Sequence, residues 1–355
     1  EYLIAEGLSG TIRYYGCPGE EGGSGKAYMA RAGLFDDVDA ALTWHPGGIN
    51  MVRSASSNAN FQVYYRFHGR AAHAAAVPHL GRSALDAVTL MNVGVNFLRE
   101  HVIPEARMHY AILNTGGSAP NVVQPEAEVL YLLRAPELDY VRDMYERVND
   151  IARGAALMTG TTLDIVFDKG CSNYIANHTI GKIMDEKLRE AVAETVYTAE
   201  ELAYADEISK TFPKAEGAFD KMKPLMDDAG RQLAKELETK TICDQVLPYL
   251  MGMKASAGST DVGDTSWVTP TAQFRGTCCA LGTPGHSWQF VAQNNTGIAH
   301  KGMLAAGKAM ALTAVELMQR PDVIAKAKAE FEESMNGRKY ICPIPDGVEP
   351  AIHRQ

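Results

Sequence analysis

Short runs of alternating apolar and polar residues, separated by stretches with apolar residues at helical spacing, divide this chain into a repeating order of strands and helices. Glu1-Tyr-Leu-Ile-Ala-Glu reads as the last turns of a helix stopped by Gly7, so the chain is expected to start inside a domain. Residues 11–17 alternate and predict a strand that runs into the acidic, glycine-rich turn Pro18-Gly19-Glu20-Glu21-Gly22-Gly23. A helix is expected over 26–32, and a second strand over 39–44 that ends at His45-Pro46. From about residue 60 the pattern predicts strand 61–68, helix 81–101, strands 107–113 and 126–133, helix 138–158 and strand 162–167. That β-α-β-β-α-β order is the split βαβ arrangement of a ferredoxin-like domain. Beyond it come a helix over 177–196, a charged and mostly helical stretch over 199–250, a strand over 272–281 and a late helix over 303–318. One α/β domain interrupted by a small α+β domain follows, with segments 1–58 and 172–355 forming the first and 59–171 the insert.

Composition narrows the function classes. With 46% hydrophobic and 22% charged residues over 355 positions, the chain has the make-up of an ordinary globular protein. No run approaches the apolar length of a membrane span and no signal peptide is visible, so the expected compartment is the cytoplasm. A net charge of −9 argues against non-specific nucleic-acid binding, which needs basic surface. The six cysteines are scattered and form no paired CxxC motifs, which suggests neither a disulfide framework nor a zinc ribbon. Vicinal Cys278-Cys279 is expected to pack rather than to do redox chemistry, because neighbouring strand side chains face opposite ways.

Candidate chemistry gathers at predicted strand ends, where α/β folds place ligands. Glu20 and Glu21 would repel each other in a turn unless a cation separates them or they diverge, so metal or proton-transfer roles compete with a solvated acidic turn. His45 and His286 also follow predicted strands, and with Glu20-Glu21 they are expected to converge on one cation, although each alone reads equally as a loop histidine. In the insert, His73 sits among small residues ahead of a helix, as an anion contact or a structural histidine. Asp261 and Asp264 are expected to be structural or to support the site from behind. No GxSxG elbow precedes a helix, so a serine hydrolase is not supported.

Five segments in order carry a resemblance: Tyr-Tyr-Gly-Cys-Pro-Gly-Glu-Glu-Gly-Gly at 14–23, Ala-Leu-Thr-Trp-His-Pro at 41–46, Gly-Arg-Ala-Ala-His-Ala-Ala at 69–75, Ala-Pro-Asn-Val-Val at 119–123 and Gly-Thr-Pro-Gly-His-Ser-Trp at 282–288. Together they resemble the metallopeptidase family of aminoacylases, bacterial glutamate carboxypeptidases and indole-acetyl-amino-acid hydrolases. The resemblance implies a zinc-peptidase-like three-layer catalytic domain with an inserted ferredoxin-like lid and dimerisation domain. It implies a metal-dependent amidohydrolase acting on a small N-acyl amino acid, an N-acyl-glutamate or folate breakdown product among the options. By the same resemblance Glu20 is the general base, Glu21, His45 and His286 are metal ligands, His73 reaches the active site of a partner subunit, and Asn121 contacts substrate. The expected cofactor is manganese or zinc, one or two ions, with further ligands expected upstream of residue 1. A homodimer, or a heterodimer with a related subunit, is expected through the lid. The alternative is a non-catalytic binding or dimerisation partner of the same fold.

Overall fold

The computed structural model describes residues 2–213 and 217–350. Glu1, residues 214–216 of the charged stretch and residues 351–355 at the end of the second catalytic segment lie outside the described residues. The chain opens with a single turn, α1 (Tyr2–Ala5), followed by α2 (Glu20–Gly23), α3 (Gly25–Arg31), β1 (Ala41–Gly47) and β2 (Met51–Val52). Next come β3 (Ala59–His68), α4 (Ala84–Leu98), β4 (Arg107–Asn114), β5 (Glu126–Ala135), α5 (Leu138–Thr159) and β6 (Thr162–Cys171). The chain then runs through α6 (His178–Ala193), α7 (Ala199–Ser209), α8 (Asp228–Leu237), α9 (Val262–Ser266), β7 (Thr271–Thr277), α10 (Trp288–Gln293), α11 (Gly297–Gln319) and α12 (Pro321–Met335).

Strands β3 to β6 form a four-stranded antiparallel sheet in the order β4-β5-β3-β6, the ferredoxin-like topology anticipated from the element order. Alternation explains its core. Phe61, Val63, Tyr65 and Phe67 of β3 and Ala127, Val129, Tyr131 and Leu133 of β5 are buried against Val88, Met91 and Val95 of α4 and Val141, Met144 and Val148 of α5. Two buried tyrosines keep their hydroxyls satisfied inside this core, Tyr65 donating to Asn149 at 2.8 Å and Tyr131 to Asn92 at 2.5 Å. The opposite face carries the intervening polar residues, including the Arg66–Glu128 and His68–Asp164 pairs.

The second sheet is smaller, with β7 in the middle, parallel to β1 and antiparallel to β2. Val52, Ala272 and Phe274 on one face, with Leu42 and Trp44 beside them, pack on α6 and α11 through Ile180, Met184, Ala306 and Ala309. The charged stretch is only partly a solvated face: Ala205 and Ile208 of α7 are buried with Ile298, and Ala234 and Leu237 of α8 are buried with Met51 and Leu247. Cys278 and Cys279 are both buried, and burial pushes their thiols up to about 12 and about 11, as packing side chains rather than nucleophiles.

Three expectations are corrected. Residues 11–17 form no strand; Tyr14 is 96% exposed and nothing pairs with that backbone, so local alternation was not matched by a ladder partner. β1 continues through His45 to Gly47 in register with β7, which puts His45 within the strand rather than beyond it. β7 ends at Thr277 rather than 281, leaving His286 in the loop before α10. The three acidic and histidine positions therefore do not each terminate a strand of one sheet.

Candidate active site

Glu20 opens α2 directly after Gly19, which adopts a left-handed conformation at φ 71°. The turn from Pro18 to Gly25 is so tight that a Cβ on Gly25 would lie 2.0 Å from the Pro18 carbonyl oxygen, so only glycine fits there. Two clamps then fix this turn. Asp261, buried at the start of α9, accepts from the Lys26 backbone N–H and from Lys26 Nζ, both at 2.9 Å. Lys169 Nζ, from the end of β6, donates to the Glu21 carbonyl at 2.6 Å. A bulge in the β3–β6 ladder at this end shifts the register between Gln62 and Val63, and Gln62 there donates to Asp168 at 2.6 Å. The Glu20 side chain is half-buried and close enough to Arg53 and Cys171 to bias both electrostatically, while Glu21 is exposed.

The two histidines assigned different roles are held in opposite tautomers. His45 Nδ1 lies 2.6 Å from the Pro46 carbonyl, so that nitrogen carries the proton and Nε2 presents a lone pair, the form in which imidazole ligates a cation. His73 Nδ1 instead accepts from the backbone N–H groups of Ala75 and Ala76 at 3.3 and 3.2 Å, which leaves Nε2–H as a donor. Asn121 lies in the facing loop: its carbonyl accepts from Ala74 N at 2.9 Å, and Val123 N donates to Ala72 O at 2.9 Å. Both His73 and Asn121 are exposed. His286 is exposed as well and takes a left-handed backbone at φ 54°, just ahead of Ser287, which caps α10 by accepting from Phe290 N.

The expected convergence on a cation is not realised. Among the described residues no group of three His, Cys, Asp or Glu side chains comes together in a way that could hold a metal ion, so Glu21, His45 and His286 do not form a finished ligand set. The physical reason is their placement: one residue in a helix turn, one within an edge strand and one in a loop past β7.

Two aspartates carry more than their turn-like sequence suggested. Asp264 is fully buried and accepts from Ser172 N at 3.2 Å, Ser172 Oγ at 2.8 Å and Tyr340 OH at 3.0 Å; burial pushes its carboxyl up to about 7. Gly263 allows this approach, since a Cβ there would sit 2.0 Å from the Ser172 carbonyl oxygen. Ser172 follows β6, so Asp264 pins the point where the chain leaves the inserted sheet. Ser56 donates to the Tyr174 carbonyl at 2.6 Å and Tyr174 N donates to Ser57 Oγ at 3.2 Å across the other crossing. A separate open cleft of about 770 Å³, lined by Arg31, Trp267, Arg338 and Tyr340, contains none of the candidate residues.

Comparison with known proteins adds to this geometry. No family model matches the chain. It is 48% identical over 353 residues to one of the two kinds of chain that make up the p-aminobenzoyl-glutamate hydrolase of Escherichia coli, covering 99% of this chain and 73% of that protein. It is 28% identical over 320 residues to the Xaa-Arg dipeptidase of Mus musculus, covering 89% of this chain and 61% of that one. Among solved structures, a proposed aminohydrolase from methicillin-resistant Staphylococcus aureus superposes with a TM-score of 0.52 at 14% identity, over 83% of this chain and 64% of the other, which speaks to the fold alone.

Proposed function

Because the chain belongs to the family of the Escherichia coli p-aminobenzoyl-glutamate hydrolase, a family of amide-cleaving hydrolases, we propose that it hydrolyses the amide bond of an N-acyl amino acid, p-aminobenzoyl-glutamate or a close analogue, with Glu20 as general base. In this reading the half-buried Glu20 carboxylate takes a proton from water as the water oxygen adds to the amide carbon. It returns that proton to the leaving nitrogen as the C–N bond breaks, giving a carboxylic acid and a free amino acid. The observation that carries the reading is the pair of opposite tautomers, with a lone pair at His45 and an Nε2–H donor at His73. His73, with Asn121 beside it, is suited to donate to the oxygen on which charge develops.

Glu21, His45 and His286 are proposed as donors to a divalent cation, manganese or zinc. The described side chains do not complete a site for it. His73 and Asn121 are proposed to act on the active site of a partner subunit, a second copy or a related chain, docked through the lid. In support, Leu90, Val93 and Phe97 of α4 and Tyr110 and Ile112 of the edge strand β4 are exposed, Phe97 by 72%. The six free cysteines suit a reducing compartment, proposed as the cytoplasm, and among the described residues no helix is long and apolar enough to cross a membrane. The incomplete donor set favours a second reading, a non-catalytic partner of the same fold. Turnover of p-aminobenzoyl-glutamate by the wild-type chain and by Glu20→Gln separates the two. The base reading expects a fall in kcat of about 10²- to 10⁴-fold with folding unchanged; equal rates in both proteins would remove Glu20 from the chemistry.

A further inference from the structure

One face of the small sheet is covered by apolar helices, and the other holds charge that the protein does not neutralise. Register sets the two faces. Trp44, Val52, Ala272 and Phe274 point to the α6–α11 side, with Trp44 stacked on Phe274 at 6.5 Å. His45 pairs with Arg275, Met51 pairs with Arg275, and Arg53 continues the ladder by donating its N–H to the Gln273 carbonyl at 2.7 Å. His45, Gln273, Arg275 and Arg53 therefore share the second face. Met51 on that face is covered by Leu247 and Leu281, but the rest stays polar.

Neither guanidinium on this face makes a side-chain hydrogen bond or ion pair among the described residues, although Arg53 is mostly enclosed and Arg275 opens to solvent. Between them, Gln273 is 3% exposed, and its side-chain oxygen is buried without a hydrogen-bond partner. Burial, and then the neighbouring charge of Arg275, hold the Arg53 guanidinium below its ordinary pKa, with Tyr174 and Glu20 pulling the other way. Two like charges and an unsatisfied amide on one face are unfavourable without an anion, and a guanidinium is shaped to take a carboxylate through two parallel hydrogen bonds.

We infer that Arg53, Gln273 and Arg275 form a subsite for the side-chain carboxylate of the substrate's amino-acid half, which selects N-acyl derivatives of acidic amino acids over their amides. The inference rests on the Glu20 reading only for which molecule arrives, because the subsite lies within electrostatic reach of Glu20. Gln273 completes it as the polar group at the floor, its amide able to turn either its oxygen or its NH₂ toward the incoming group.

Two measurements test this on the 355-residue chain. In the first, calorimetry follows glutarate, a dicarboxylate that cannot be hydrolysed, binding to wild type and to Arg53→Met and Arg275→Met; no turnover is needed. Each substitution is expected to weaken glutarate binding on the order of tenfold or more, since hydrogen bonds to charged groups are lost. Equal affinity in all three proteins overturns the subsite. If Arg53→Met fails to fold, the exposed Arg275→Met carries the comparison alone. In the second, the kcat/KM ratio of N-benzoyl-glutamate to N-benzoyl-glutamine is expected to fall about ten- to a hundredfold in Arg275→Met, mainly through KM. An unchanged ratio also overturns it. Arginine-dependent glutarate binding in a chain that cleaves no amide would instead sink the Glu20 reading and leave the subsite standing.

Discussion

The two sheets of this protein treat their second faces in opposite ways. Each sheet has one apolar face backed by a pair of helices, α4 and α5 for the insert, α6 and α11 for the small sheet. On the insert's other face the charges meet partners: Arg66 pairs with Glu128 and His68 with Asp164 at 3.0 Å. On the small sheet's other face Arg53 and Arg275 stand beside each other and beside Gln273, without a carboxylate among the described residues. A solvated sheet face balances its own charge, and a face left unbalanced next to a half-buried glutamate has been shaped for something that is not protein. The same contrast holds at depth. The insert buries tyrosines with their hydroxyls satisfied, whereas the catalytic half buries ionisable groups, Asp261 and Asp264, as struts.

The largest expected effect belongs to the Lys26–Asp261 strut. Asp261→Ala leaves a nearly enclosed Lys26 without its partner and should cost about 4 kcal/mol, read as a lower urea midpoint. A loss below about 1 kcal/mol would make the pair no more than a surface bridge. Next comes Asp264, whose folded carboxyl is held near 7 against an unfolded value of 3.8. The folded state then holds the proton more tightly, so this group's contribution to stability is fully present below about pH 4 and is lost as pH rises through about 7. The whole window is worth a few kcal/mol. Comparing urea midpoints of wild type and Asp264→Asn from pH 4 to 8 should show the wild type declining relative to the variant; parallel curves would contradict the assignment. In the insert, Met91→Ala empties a fully buried position and should cost about 2–3 kcal/mol. The smallest effect is expected from Glu128→Gln, below about 1 kcal/mol, because the Arg66 pair is solvent-screened. If that loss matched Asp261→Ala, the contrast between the two halves would collapse.

The insert was the more legible half because its information is local. Every strand from β3 to β6 alternates, each lies within a short loop or one helix of its neighbour, and the order alone selects the topology. The small sheet depends on partners far apart in sequence, β1 with β7 and Arg53 with Gln273, and no alternation pattern announces such pairs. The same limit explains residues 11–17, which have a strand's pattern and no neighbour to complete a ladder. Glu20, His45 and His73 could be singled out from residue type and setting, but their tautomers and clamps depend on carbonyls and amides that only the folded backbone places. Asp261 looked like a turn residue because the lysine it holds is 235 positions away. Arg53 and Arg275 gave no signal, since an arginine's lack of a partner is visible only in three dimensions.

The Lys169 ammonium on the Glu21 carbonyl joins the last strand of the insert to the turn that carries Glu20. Any rotation of the insert that moves β6 by more than a hydrogen bond's reach must either break this link or drag the base-bearing turn along with it. The orientation of the insert and the aim of Glu20 are thus one mechanical coordinate, and a ligand that braces either will be felt at the other.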